Sequence, residues 1–232
     1  MKNQIIVAMD MEIPEGIELM SEIRTSEQIY GYKVGSLWIL ERGIDILRIL
    51  RGHLNSVNSS QKIILDMQKW GTDIPDIIKK QVEKVAPYVD ELICCSMGAG
   101  NESLKMFAET CFENKVNPIC VLEMTHPKSD SYLKKKTYID ILDNAIDFGI
   151  SDFVIPATKE PKLEIIPILS NWFPNGFKGT VNFYATGFKV QDGQIKPMVD
   201  FGVTKFIIGR AVYEAEDPLK EIEDIYKEIN EV

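Results

Sequence analysis

The chain is poor in the residues that hold metals and disulfides. Its 232 residues include two histidines, His53 and His126, and four cysteines, Cys94, Cys95, Cys111 and Cys120. No Cys-x-x-Cys pair occurs, so neither a zinc site nor any other metal centre is expected. Cys94 and Cys95 adjoin inside an apolar run and read as buried thiols, not as a disulfide framework. No apolar run approaches the roughly 18–20 residues of a membrane helix. The start, MKNQIIVAMDME, lacks the apolar core and small-residue cleavage site of a secretory signal. The expectation is a cytoplasmic protein with no membrane partner. Positive charge is also short. Lys plus Arg number 26 against 35 Asp plus Glu, a net charge of −9, which repels phosphate backbones and excludes non-specific nucleic-acid binding. A small phosphorylated ligand needs only a local site and stays open.

What is present is a regular alternation. Apolar runs fall at 4–10, 29–35, 62–67, 89–95, 118–124, 151–157, 180–186 and 205–211. Most are continuous, the pattern of parallel strands covered on both faces. Helical periodicity lies between them. Leu37, Leu40, Ile44, Leu47 and Leu50 repeat at three and four, which predicts one helix over 37–50 with those residues inside. Residues 74–85, 102–113, 131–148, 162–173 and 218–230 carry similar patterns. Eight strand–helix units at roughly 25–30 residues each predict a (β/α)8 TIM barrel. A doubly wound open sheet is the competing arrangement. No linker or composition break divides residues 1–232, so one domain is expected.

In a barrel the reactive residues sit at the C-terminal ends of strands. Those ends here carry Asp10, Lys33, Asp66 with Lys69 and Asp73, Thr125 with His126, and Gly209 with Arg210. The seventh run leads into ATGFKVQDGQ, which holds Gln191. Singly, each residue has a plainer use: an Asp caps a helix, a Lys snorkels, and Lys69 with Asp73 forms a solvated pair. Together, two lysines and several carboxylates on one face form an alternating charged cluster that costs stability unless it is used. Loops after strands seven and eight of barrels often bind phosphate. Gly209 permits close backbone approach there, and Arg210 suits a bidentate phosphate contact.

These motifs resemble the orotidine 5'-monophosphate decarboxylase family, in the superfamily shared with 3-hexulose-6-phosphate synthase. The matching pieces are AMD, YKVG, LDMQKWGTDIP, EMTHP, TGFKVQDG and IIGRAVYEAEDP, in order from Asp10 to Pro218. The resemblance implies cofactor-free decarboxylation of orotidine 5'-phosphate to uridylate, with a Lys-Asp-Lys-Asp array as the catalytic group. By resemblance, Lys33 contacts ribose and the first aspartate, and Asp66 faces the substrate carboxylate. Lys69 stabilises and protonates C6, and Asp73 reaches the neighbouring site across a homodimer interface. Asp10 binds a ribose hydroxyl, Thr125 stands where the family usually has Ser, and Gln191, Gly209 and Arg210 hold the phosphate.

The chain departs from the family at two points. The usual spacing is Asp-x-Lys-x-x-Asp, whereas Asp66-x-x-Lys69-x-x-x-Asp73 is one residue longer in each half. Strand side chains alternate, so Asp66 and Gln68 share the inward face. A bulge between Asp66 and Lys69 is therefore predicted, eased by Gly71. Ile77 also replaces a Thr that contacts ribose in the family. The rivals are a magnesium-dependent aldolase of the hexulose-phosphate synthase type, a nucleotide-phosphate-binding barrel without catalysis, and an unrelated phosphate-binding barrel enzyme. The aldolase requires Glu where Lys33 stands.

Overall fold

Eight short strands, each following the apolar runs, pair in parallel in chain order. They are β1 (Gln4–Ala8), β2 (Ile29–Val34), β3 (Lys62–Asp66), β4 (Glu91–Cys94), β5 (Asn117–Val121), β6 (Asp152–Pro156), β7 (Asn182–Thr186) and β8 (Val203–Ile208). β1 pairs with β8 as well as with β2, which closes the sheet. That pairing rules out the open doubly wound sheet and makes the fold a (β/α)8 TIM barrel. The coordinates are a computed structural model describing residues 2–57, 59–67, 72–94, 100–126, 128, 135–158, 181–188 and 194–231.

The outer layer contains α1 (Ile13–Ile23), α2 (Ser36–Arg42), α3 (Asp45–Ser56), α4 (Pro75–Val85), α5 (Gly100–Glu113), α6 (Lys135–Asp147), α7 (Ile195–Phe201), α8 (Arg210–Tyr213) and α9 (Pro218–Asn230). α9 shows how the sequence starts a helix. Asp217 caps it by accepting from the Lys220 N–H at 3.0 Å, and Pro218 follows in the first turn. Ile222, Ile225 and Ile229 form its buried stripe. The Asn230 side chain accepts from the Asn3 N–H and donates to the Asn3 carbonyl, and the Asn3 side chain donates to the Ile229 carbonyl, which fastens α9 beside β1. The expected helix over 162–173 lies outside the described residues, as do residues 131–134 of the 131–148 expectation. Among the described residues, no helix is long and apolar enough to cross a membrane.

The expected helix over 37–50 is two helices. Gly43 ends α2 at φ +63°, a conformation that glycine adopts without strain, and the chain restarts as α3. The break shifts the helical phase. Leu47 and Leu50 are buried as expected, but Leu37 is 60% and Leu40 82% exposed. Trp38 is the buried residue of α2 instead.

Alternation along the strands divides the interior in two. Outward residues such as Ile5, Val7, Ile63, Leu65, Phe153 and Phe206 join the helices in one large apolar cluster. Inward residues Ile6, Ala8, Ile64, Ile93, Ile119, Val121, Val154 and Ile207 fill the barrel's middle. Polar layers lie above and below. Below, Glu91 is 3% exposed and accepts hydrogen bonds from the Tyr30 and Tyr184 hydroxyls. The Lys205 ammonium lies over both tyrosine rings, 4.7 Å and 4.6 Å from their centroids. Above lies the site. A register shift between Ile5 and Ile6 leaves Tyr30 as an extra residue in β2, between the partners Ile29 and Gly31. This bulge resets the alternation, so both Tyr30 and Lys33 serve the interior while Tyr32 and Val34 pack outside.

Candidate active site

The C-terminal mouth of the barrel holds a cavity of about 500 Å³. Ala8, Ile93, Val121, Val154 and Ile207 make its apolar floor, and polar residues at the strand ends make its walls. Asp10 comes from the loop after β1, Lys33 from the end of β2 and Asp66 from the end of β3. The Lys33 Nζ donates to Asp10 Oδ1 at 3.3 Å and to Asp66 Oδ2 at 3.4 Å. The residue is only 9% exposed. Burial works against the charged ammonium, but the Asp66 and Asp10 carboxylates outweigh it and hold Lys33 above the ordinary lysine value. The group is therefore a fixed, dehydrated cation at neutral pH.

The wall built by the ends of β7 and β8 carries Thr186, Gly187, Phe188, Gly209, Arg210 and Tyr213. Arg210 is exposed and stands immediately after Gly209 at the end of β8. A Cβ on Gly209 would approach the Tyr213 ring at 3.4 Å and the Ala8 Cβ at 3.5 Å, so this turn lies close against β1. Thr125 lines the cavity from the segment after β5, and its carbonyl accepts from the Thr158 hydroxyl at 3.0 Å.

Six of the expected site residues thus share one cavity, where Lys33 contacts both Asp66 and Asp10 directly. Gly209 and Arg210 join them from β8, and Thr125 from β5. Asp73 is exposed and outside the described cavity lining; its carboxylate accepts from the Ile74 N–H at 2.7 Å. Lys69, Gln68 and Gly71 lie outside the described residues, and so does the expected bulge after Asp66. Gln191 also falls outside them. Up to Met67 the chain follows the expected alternation, with Ile64 inside and Ile63, Leu65 and Met67 outside. Among the described residues, no group of three or more His, Cys, Asp or Glu side chains is placed to hold a metal ion.

Among the lining residues that the sequence did not single out are Glu123 and Tyr213. Glu123 is a buried carboxylate two residues beyond β5, in the EMTHP segment. Tyr213 stands three residues after Arg210, and burial together with the Asp10 carboxylate raises its phenol, so the neutral hydroxyl faces the site. The available signal was position: Glu123 lies in the strand-end segment EMTHP and Tyr213 in IIGRAVYEAEDP.

A family model described as "Orotidine 5'-phosphate decarboxylase / HUMPS family" matches residues 3–225. The chain belongs to this family. Family relatives span the whole chain at modest identity. An orotidine 5'-phosphate decarboxylase of Methanosphaera stadtmanae is 27% identical over 230 residues, covering 98% of each chain. One of Pyrococcus abyssi is 25% identical over 227 residues, covering 97% of this chain and 98% of its own. The crystal structure of the Pyrococcus horikoshii orotidine 5'-phosphate decarboxylase superposes with a TM-score of 0.78 at 26% identity, covering 99% of this chain and 100% of that one. A Methanocaldococcus jannaschii orotidine 5'-monophosphate decarboxylase complexed with the inhibitor BMP gives 0.81 at 19% identity, with 99% of each chain covered, which speaks for the fold alone.

Proposed function

We propose that this protein decarboxylates orotidine 5'-phosphate to uridylate, the closing step of de novo pyrimidine nucleotide synthesis, without a cofactor. The observation that carries the reading is the buried Lys33 ammonium clasped by Asp10 and Asp66, in one cavity with Gly209 and Arg210. A nucleotide has its phosphate at one end and its reacting base at the other, and such a cavity offers both an anion contact and a charged array. An ammonium between the two carboxylates also disfavours the magnesium-aldolase alternative, because a divalent ion would need those oxygens.

In this reading the bond from C6 to the carboxylate carbon breaks and its electron pair stays on C6. Carbon dioxide leaves, and Lys69 delivers a proton to C6. A fixed ammonium near the developing carbanion stabilises charge that appears only in the transition state. Asp66, with a side chain only 12% exposed, would stand against the substrate carboxylate and disfavour it there. Phosphate contacts from Arg210, Gly209 and Gln191 would supply the binding energy that offsets this misfit. Asp10 would take a ribose hydroxyl and Thr125 the pyrimidine edge.

The same reading makes the protein a homodimer in which Asp73 enters the partner's site. Support comes from exposed apolar side chains: Leu37, which lines the cavity, Leu40 on the same helix α2, and Ile74 beside Asp73. Light scattering is expected to give twice the chain mass, and Leu40→Asp to lower it; a monomeric parent contradicts the dimer. We treat residues 1–232 as one domain, and a soluble nucleotide substrate supports a cytoplasmic setting.

Ultraviolet absorbance follows orotate becoming uracil. Purified protein with orotidine 5'-phosphate and no added metal is expected to consume the signal, while Lys69→Ala is expected to leave it unchanged. A parent that binds uridylate without turnover would make the barrel a nucleotide-binding protein only.

A further inference from the structure

Asp10 lies just past the sheet. The last ladder bond on its strand runs from the Met9 N–H to the Lys33 carbonyl at 2.9 Å, and α1 begins only at Ile13. Its side chain is 48% exposed and meets the Lys33 ammonium at 3.3 Å, a contact that leaves the backbone of its loop to be held elsewhere. The next anchored point is the neighbouring carbonyl. The Trp38 indole N–H donates to the Met11 carbonyl at 2.6 Å.

Trp38 is held firmly enough to act as an anchor. It is 1% exposed, and its ring fills the space beside Gly16 of α1. A Cβ on Gly16 would lie 2.2 Å from Trp38 Cζ2 and 2.6 Å from Cη2. α2, the helix that carries Trp38, begins next to the site. A Cβ on Gly35 would approach Asp10 Oδ1 at 3.4 Å. Trp38 therefore joins the helix after the Lys33 strand to the loop that carries Asp10.

We infer that Trp38 is a positioning residue that, through the Met11 carbonyl, sets the Asp10 carboxylate for the substrate's ribose. The inference rests on the orotidine 5'-phosphate reading above, with Asp10 on a ribose hydroxyl. It makes a specific demand: the effect of losing the indole N–H must pass through Asp10.

The test is a four-protein cycle of the parent, Trp38→Phe, Asp10→Asn and the double variant. The readouts are kcat and KM for orotidine 5'-phosphate and Kd for uridylate. Where Trp38→Phe fails to fold, benzothienylalanine at position 38 keeps the ring shape and lacks the N–H. Removing one hydrogen bond is expected to weaken uridylate binding and raise KM by about fivefold, with kcat falling less. In the Asp10→Asn background the same change is expected to alter Kd by less than about twofold, because coupled residues are non-additive. An equal loss in both backgrounds, or no loss in the parent background, overturns the positioning role and leaves the functional reading standing. An inert parent that ignores uridylate overturns the functional reading, and this role falls with it.

Discussion

The Lys33 ammonium gives up most of its water on folding and regains two carboxylate contacts. Replacing it with Ala would remove the cation that Asp10 and Asp66 share. Loss of one such preorganised charge is expected to lower kcat by roughly 10²–10³-fold, measured by the same absorbance assay. Folding also raises Lys33 above its ordinary value near 10.5, so the folded chain holds this proton more tightly than the unfolded one. Its stabilising effect is then full below that pH and is lost as pH rises through the folded value. Urea midpoints measured from pH 9 upward are expected to fall more steeply for the parent than for Lys33→Met; parallel curves would contradict the pairing. Asp10, Lys33, Asp66 and Gly209 were legible because each is a lone polar or flexible residue ending an apolar run. Glu91 and Lys205 were not, because a run quoted as apolar conceals a charge that pairs across the barrel.

At the scale of elements, the strands were read from their apolar runs to within a few residues, and α9 from its cap and stripe. The stretch over 37–50 was misread. Periodicity shows which residues can share a face, but not where a chain turns, and Gly43 turns it between α2 and α3. The error hid Trp38, because the expected inward face ran through Leu37 and Leu40, which are exposed. α1 went unread, with Gly16 set among its apolar residues, and that glycine proves to be the contact point for Trp38. Gly16→Ala forces a methyl into the indole ring and is expected to cost about 1–3 kcal/mol in urea or thermal unfolding. No measurable loss would mean that α1 and α2 do not meet through this ring.

At the scale of the whole molecule, the barrel has two polar ends with different tasks. The C-terminal end gathers the charges of the site. The N-terminal end closes on the Glu91, Tyr30, Tyr184 and Lys205 cluster. Burial raises the Glu91 carboxyl, with the Tyr30 hydroxyl and Lys205 acting against it. Tyr184→Phe removes one donor from Glu91 and is expected to cost about 1–3 kcal/mol of stability. kcat and KM are expected to stay as in the parent, because residues at this end of a barrel serve stability. The fold was legible because eight repeats constrain one another. The expected arrangement around Lys69 was not settled by alternation, which carries Asp66 and Gln68 inward and requires a local rearrangement for the lysine.

The central claim is tested most directly by product stoichiometry. Purified protein in EDTA-containing buffer is incubated with orotidine 5'-phosphate, and uridylate and carbon dioxide are quantified together. The account predicts one of each for every substrate molecule consumed, with turnover far beyond one per chain. Uridylate binding with no carbon dioxide released would contradict it.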